Sequence, residues 1–359
     1  VAGNPILSTP HSRQLSDAFE KLELMISVDL YLNETTRHAD VILPVPSQLQ
    51  RDHYDVLLLQ FAIRNVANYS TPVLPLDDGQ PDEWEILAKL GMIAQGLGPD
   101  ADPHLADDLA IEGLVRNSIG DHSSPIHGRN ADEIIDLLNV DGRRGPARML
   151  DFMLQTGPYG AGFGTNAGGA SLQLLLDNPH GVDFGALESR LPDALRTRTG
   201  MIELAPEPLL ADVPRLLDSI EEFTKNRFVL VGRRHLKTNN SWMHNIQVLV
   251  KGNVRCSLQM HTDDAKSLDL LSESADEVFV SVTSRVGSVV VPVEITDDIR
   301  PGVVSLPHGW GHDHPGTKMR VAESLSGVNS NILSDHEAMD PLSGTSVLNG
   351  IPVSIAKIG

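Results

Sequence analysis

Short apolar runs that stop at Asp, Gly or Pro recur along the chain, and their spacing differs between its two ends. Near the amino terminus Leu24–Val28 and Ala39–Leu43 each read as a buried strand; Asp29 closes the first, and Pro44 and Pro46 stop the second. A helical pattern runs from Ser12 to Lys21 ahead of them, and Asn33-Glu-Thr-Thr36 caps a short helix between them. Val1 and Ala2 read as the last step of another strand, entering a turn at Gly3-Asn-Pro5. This order predicts part of a parallel α/β sheet, in which loops at the carboxyl ends of the strands carry the ligand contacts. Gly3, Asn4, Ser8 and Asp29 are then expected on one rim.

Pro81–Gly91 has proline at its start and acids in its first turn, which predicts a helix. Beyond Leu97 the helical pieces Leu105–Ser118, Ala131–Leu138 and Pro146–Gln155 alternate with Gly/Pro breaks. Gly160-Ala-Gly-Phe-Gly164 has the look of a phosphate loop, but it follows no predicted strand and opens no clear helix, so it reads as a flexible turn. After Phe228 the texture becomes β. Besides Phe228–Val231, strand-like runs appear at Gln247–Val250, Cys256–Met260, Glu277–Val282, Ser288–Ile295, Gly302–Leu306 and Pro352–Ile355. Separated by Gly, Asp and Pro turns, they predict a closed barrel of about six strands. The expected division is an α/β segment over residues 1–96, a mostly helical or irregular connection over 97–224, and the barrel over 225–359.

Composition narrows the partners. A formal charge of −20 and only 4% aromatic residues argue against a nucleic-acid surface or an anionic membrane. An anion site must therefore be a local gathering of cations and backbone N–H groups. The single cysteine, Cys256, excludes a disulfide framework, a Cys-based zinc site or an iron–sulfur cluster held by this chain alone, and its apolar setting reads as a core position. No apolar run is long enough to span a bilayer. No basic and apolar export signal follows Val1, so the cytoplasm is the expected compartment, and a chain starting at Val1 reads as a piece of something longer.

Two stretches carry candidate chemistry. Arg227–Asn245 runs from the apolar strand into Gly232, Arg233, Arg234, His235, Lys237, Thr238, Asn239, Asn240 and Ser241. A glycine that admits close approach, followed by guanidinium and amide donors, suits phosphates and the edge of a flat base, although a solvated loop has the same composition. Pro307-His-Gly-Trp-Gly-His-Asp-His-Pro315 offers His308, His312 and His314 as metal ligands, which keeps a metal-dependent hydrolase open as an alternative. Two glycines and two prolines prevent the helix that would converge them. Asp29 could accept from a ribose or a guanine edge, or cap the next turn. The amides of Gly327-Val-Asn-Ser-Asn331 could hold a heterocycle or close turns.

Taken in series, several motifs resemble the carboxyl-terminal half of the dimethyl sulfoxide reductase family of molybdopterin oxidoreductases, which includes formate dehydrogenases and nitrate reductases. They are Gly3-Asn-Pro5, Val28-Asp29, Thr35-Thr-Arg-His-Ala-Asp-Val-Ile-Leu-Pro44, Pro81-Asp-Glu-Trp84, Gly200-Met-Ile-Glu-Leu204, the loop from Gly232-Arg233 to Asn240, and Gly327–Asn331. The resemblance covers residues 1–92 and 200–355. It implies a parallel-sheet dinucleotide-binding domain followed by a double-psi six-stranded barrel. The implied cofactor is a pair of molybdopterin guanine dinucleotides around one molybdenum or tungsten.

Carried over, the resemblance places Asn4 and Ser8 in a phosphate-side turn, and Asp29 and Asp82 at nucleosides, with Glu83 an open alternative to Asp82. It places Gly232, Arg233, His235 and Thr238 near pterin and phosphates, and Asn331 in the last ligand loop. His308 and Trp310 would stand on the loop facing the cofactor. Val28 departs from the Gln that some relatives carry before the strand-end Asp, and the stretch between Arg233 and His235 is short. The metal-ligating residue and any [4Fe-4S] motif of the parent would lie upstream, so the chain is expected to hold cofactor without turning over substrate alone. Its expected partners are the cofactor, the amino-terminal part of the same enzyme and an electron-transfer partner. A cofactor-binding scaffold without catalysis is the remaining alternative.

Overall fold

A computed structural model describes residues 3–225, 228–252, 255–271 and 277–358. The strand step expected at Val1–Ala2 and the leading Arg227 of the donor-rich stretch lie outside them. The contacts divide the chain into two units, one of residues 1–43 with 197–359 and one of residues 44–196.

The first unit opens with helices α1 (Pro5–Ser8) and α2 (Ser12–Phe19) and strands β1 (Ile26–Val28) and β2 (Val41–Leu43). The two strands pair in parallel, Ile26 opposite Val41 and Val28 opposite Leu43, as the strand–helix–strand pattern predicts. Between them Thr36–His38 is a single 3₁₀ turn.

The second unit joins four short strands, β3 (His53–Tyr54), β4 (Arg64–Ala67), β5 (Tyr69–Ser70) and β6 (Val182–Ala186), to helices α3 (Glu83–Ala94), α4 (Pro103–Gly120), α5 (Ala131–Leu138) and α6 (Gly145–Thr156). Side chains of Asp82, Asp102 and Asn130 accept backbone N–H groups and so fix the starts of α3, α4 and α5. Ile111, Val115, Ile126, Ile134, Leu138, Phe152 and Phe163 form one apolar core. Arg148 of α6 is buried against Asp107 and Asp108 of α4. Gly160–Gly164 is a turn, with the Arg129 guanidinium bound to the carbonyls of Gly162 and Phe163.

The first unit also holds the expected barrel, made of β7 (Phe228–Arg233), β8 (Leu258–Met260), β9 (Phe279–Thr283), β10 (Ser288–Ile295), β11 (Val303–Pro307) and β12 (Ile351–Lys357). It closes in the order β10-β8-β11-β7-β12-β9. Alternation sends Leu230, Leu258, Met260, Val280, Val282, Val289, Val291, Val304, Leu306 and Val353 inward. Cys256 joins this core, and burial pushes its thiol up to about 11, so it is an inert packing residue. The run Gln247–Val250 forms turns rather than the expected strand. Closure without it leaves no free edge to pair with, and Val250 is buried while Val248 faces solvent.

Candidate functional site

The parallel pairing of β7 with β11 brings the ends of both strands to one rim, with Leu306 opposite Gly232 and Pro307 opposite Arg233. A cleft of about 110 Å³ opens there, lined by Gly232, Arg234, His308, Asn331, Ser334 and Asn349, among others. A Cβ on Gly232 would meet only Asn349 Oδ1, at 3.5 Å, so its missing side chain leaves the strand end bare. The Gly232 N–H donates to the same oxygen at 2.8 Å. Arg234 is exposed, and among the described residues its guanidinium has no partner. Burial, and then the Arg234 charge, hold His308 below the usual imidazole range, so it is neutral at pH 7. The cleft suits a phosphate or one edge of a ring; at this size it encloses only part of a dinucleotide.

A larger cavity, about 650 Å³, opens toward the other end of β7 against Phe228, Arg285, Asp335 and Ile355. Arg285 is already paired there with Asp335 and Glu337, and none of the expected ligand residues lines it. The donor chemistry therefore makes the smaller cleft the candidate site.

Behind the cleft, the Pro307–Pro315 loop is packed by close backbone approach. Gly309 has φ of +87°, and a Cβ there would lie 2.2 Å from the Asn240 carbonyl oxygen. Gly311 has φ of +109°, with Asn329 Cβ at 2.7 Å from the corresponding position. Only glycine fits either place. Trp310 is buried with its Nε1 unpartnered, as is Nδ1 of His235, whose ring meets the indole edge-on at 5.9 Å. The Trp310 indole N–H is a buried donor left over for an acceptor, while the role of the His235 nitrogen depends on its tautomer.

The remaining expected residues fall into three groups. Arg233 turns inward: its guanidinium donates to the carbonyls of Ser305 (2.5 Å) and Ser257 (2.8 Å), and burial lowers its pKa. It is committed to the barrel wall, which leaves Arg234 as the cation facing the cleft. His235 lies below the usual imidazole range through burial and then the Arg233 charge. Thr238 is buried, its hydroxyl donating to the His235 carbonyl oxygen.

Asn4 and Asn331 are internal braces. Asn4 donates to Glu34 and accepts from Thr35, and Asn331 Nδ2 donates to the Leu7 carbonyl oxygen at 2.6 Å. Ser8 is exposed and donates to the Asn4 carbonyl oxygen. Asp29 follows β1, accepting from the Tyr31 N–H and the Asn33 amide. Asp82 belongs to the other unit, where it caps α3 and lies 3.7 Å from Arg51; burial raises its carboxyl pKa. Sequence reasoning missed Asn349, Ser334 and Glu34. Asn349-Gly350 reads only as a turn before a strand, and Glu34 is hidden inside a capping string.

Among the described residues no group of three or more His, Cys, Asp or Glu could hold a metal ion. His312 is consumed by Glu34 and the Gly309 carbonyl oxygen, at 3.0 and 3.1 Å. The hydrolase alternative built on His308, His312 and His314 is not favoured.

A closed barrel with a bare glycine and, among the described residues, an unpaired arginine at one rim has the chemistry of an anion-binding domain. Residues 228–352, which hold most of the barrel, match the molydopterin dinucleotide binding domain. The chain is 26% identical over 306 residues to a Halobacterium salinarum protein named as the catalytic component of a dimethyl sulfoxide reductase, covering 84% of this chain and 31% of the relative. It is 24% identical over 319 residues to the alpha chain of the F420-dependent formate dehydrogenase of Methanocaldococcus jannaschii, covering 89% and 39%. With the catalytic component of the Bacillus subtilis assimilatory nitrate reductase it shares 27% over 134 residues, 36% of this chain and 18% of that one. The chain thus spans about a third of the length of the first two. Acetylene hydratase from Pelobacter acetylenicus has a similar fold, with a TM-score of 0.55 at 18% identity, over all of this chain and 44% of that one. The resemblance to molybdopterin oxidoreductases read from the motifs is borne out.

Proposed function

We propose that this chain is the molybdopterin guanine dinucleotide-binding part of a molybdenum or tungsten oxidoreductase that performs two-electron redox chemistry on a small substrate. The observation that carries the reading is the cleft at the ends of β7 and β11, inside the matched domain, where Gly232, Arg234, His308 and Asn331 converge. Arg234 suits a pyrophosphate, and the unpartnered indole N–H of Trp310 suits an acceptor on a heterocycle. Arg233, Thr238, Asn4 and Asn331 act by holding the surrounding backbone, while Asp29 and Asp82 are the carboxylates offered to guanine N–H edges, Ser8 standing beside the first turn. Bound, the cofactor supplies the redox chemistry through its metal; this chain binds and orients it. The remainder of the enzyme and an electron-transfer partner complete the proposed assembly.

The test is to purify the protein carrying this chain and to measure pterin as its fluorescent oxidised derivative, released guanine nucleotide, and molybdenum, tungsten and zinc. Pterin and guanine together with molybdenum or tungsten are expected; zinc without pterin would overturn the reading. Pterin and metal in a protein with no redox turnover would favour a storage scaffold. Gly232→Ala should leave the thermal midpoint unchanged, since its Cβ meets only an ordinary 3.5 Å contact, while lowering pterin per molecule.

A further inference from the structure

His312 is fully buried, and both of its ring nitrogens face acceptors: Glu34 Oε1 lies 3.0 Å from Nδ1, and the Gly309 carbonyl oxygen 3.1 Å from Nε2. A carbonyl oxygen only accepts, so Nε2 carries a hydrogen. Neutral imidazole has a single N–H, so the contact at Nδ1 needs a second proton, on the ring or on Glu34.

The surroundings of Glu34 locate that proton. The Ile6 N–H donates to Thr35 Oγ1 at 3.1 Å, which leaves the Thr35 hydroxyl to donate to Asn4 Oδ1 at 2.6 Å. This fixes the Asn4 amide with Nδ2 toward Glu34 Oε2, at 2.7 Å. A carboxylate that accepts from both the amide and the ring is stabilised as the anion. Burial pushes the Glu34 carboxyl up, but the hydrogen bond and charge of His312, together with hydrogen bonds from the backbone and Asn4, hold the group below the ordinary range. The groups packed around the pair agree. His244, with its ring 4.6 Å from that of His312, donates through Nε2 to the Asn240 carbonyl oxygen and is pushed down to about 4, first by burial and then by the His312 charge. His314 is also lowered, by burial first and then by Arg37, against the opposing charges of Glu34 and Asp313.

We propose that Glu34 and His312 form a buried carboxylate–imidazolium pair that clamps the Pro307–Pro315 loop from within, making both of them positioning residues for His308 and Trp310 at the cofactor cleft. The doubly protonated ring holds Glu34 on one side and the Gly309 carbonyl on the other; a neutral ring can donate to only one. The backbone N–H groups of Gly311 and His312 both donate to the Ser326 carbonyl oxygen, the His308 N–H donates to that of Arg233, and Arg37 donates to that of Pro315, so the loop has further anchors besides the ring. The pair stands on its own geometry, and only its effect on the cleft rests on the cofactor reading.

The experiment combines ring-nitrogen NMR of ¹⁵N-histidine-labelled protein with the variants Glu34→Gln and Glu34→Gln/His312→Gln. Wild-type His312 should show two N–H groups at neutral pH. A neutral glutamic acid donating to the ring would be mimicked by the Gln amide, and Glu34→Gln would then change nothing. An ionic pair predicts a lower thermal midpoint and pterin loss from the folded enzyme about tenfold faster. The double variant, a neutral hydrogen-bonded pair, should recover part of both. A single N–H on His312 at neutral pH, or Glu34→Gln indistinguishable from wild type, overturns the proposal. Wild-type protein without pterin would instead sink the cofactor reading and leave the ring-nitrogen result standing.

Discussion

In the helical unit Arg148 is 1% exposed and lies 3.3 Å from Asp107 and 2.9 Å from Asp108, tying α6 to α4. In the barrel unit Glu34 and His312 are both 0% exposed, and they tie a loop near the start of the chain to one 278 residues later. The first pair joins two helices whose backbones are already satisfied by their own ladders, so the charge only sets how they pack. The second joins loops that have no ladder, so the buried polar groups are themselves what fixes the backbone. Buried charge is expensive in either place. Its consequence differs: register between helices in one unit, the shape of a ligand cleft in the other.

The comparison is most severely tested at Arg148. Arg148→Ala leaves buried Asp107 with only the more distant Arg144 guanidinium, at 3.6 Å, and should cost about 3–5 kcal/mol, read by chemical denaturation. Pterin per folded molecule should be unchanged, and a parallel loss of pterin would erase the distinction between the units. Next in size is Gly311→Ala, whose Cβ would overlap Asn329 at a left-handed φ of +109°. About 3 kcal/mol is expected from strain and overlap together. Gly316→Ala, at φ of +89° with open space around it, should cost only about 1 kcal/mol. Equal midpoints for the two variants would mean that the loop is not clamped.

Acid destabilisation is expected through His244. Its pKa falls from 6.5 in the unfolded chain to about 4 in the fold, so the unfolded state takes up the proton first. Nothing is lost above 6.5, and stability falls as pH drops from there toward about 4. By pH 5 the loss is roughly 2 kcal/mol, at 1.36 kcal/mol per unit. His244→Gln should flatten that limb of the denaturation profile, and an unaltered slope would remove His244 from this account.

The barrel was legible because its signal is local: β10 appears in the sequence over the same residues, Ser288–Ile295, that form it. Gln247–Val250 misled because an apolar run says nothing about whether a partner edge is free, and closure had used them all. At the cleft, Gly232 and Asn331 were readable as a bare glycine and a loop amide. Which of two adjacent arginines faces outward was not readable, since that depends on whose carbonyls lie behind Arg233. Glu34 was the least visible residue of all. Its partner is remote in sequence, and no spacing rule connects a residue in a capping string to a histidine in a Gly-rich loop.

That separation has a consequence in time. At ribosomal speeds of 5–20 residues per second, the 278 residues between Glu34 and His312 take roughly 15 to 60 s to emerge. Throughout that interval the nascent chain carries a carboxylate whose counter-charge has not yet been made, so its surroundings stay wet and open. The loop facing the cleft can set only afterwards, and β12, which closes the barrel between β7 and β9, emerges later still. The shape of the cleft is thus among the last features of this unit that synthesis makes possible.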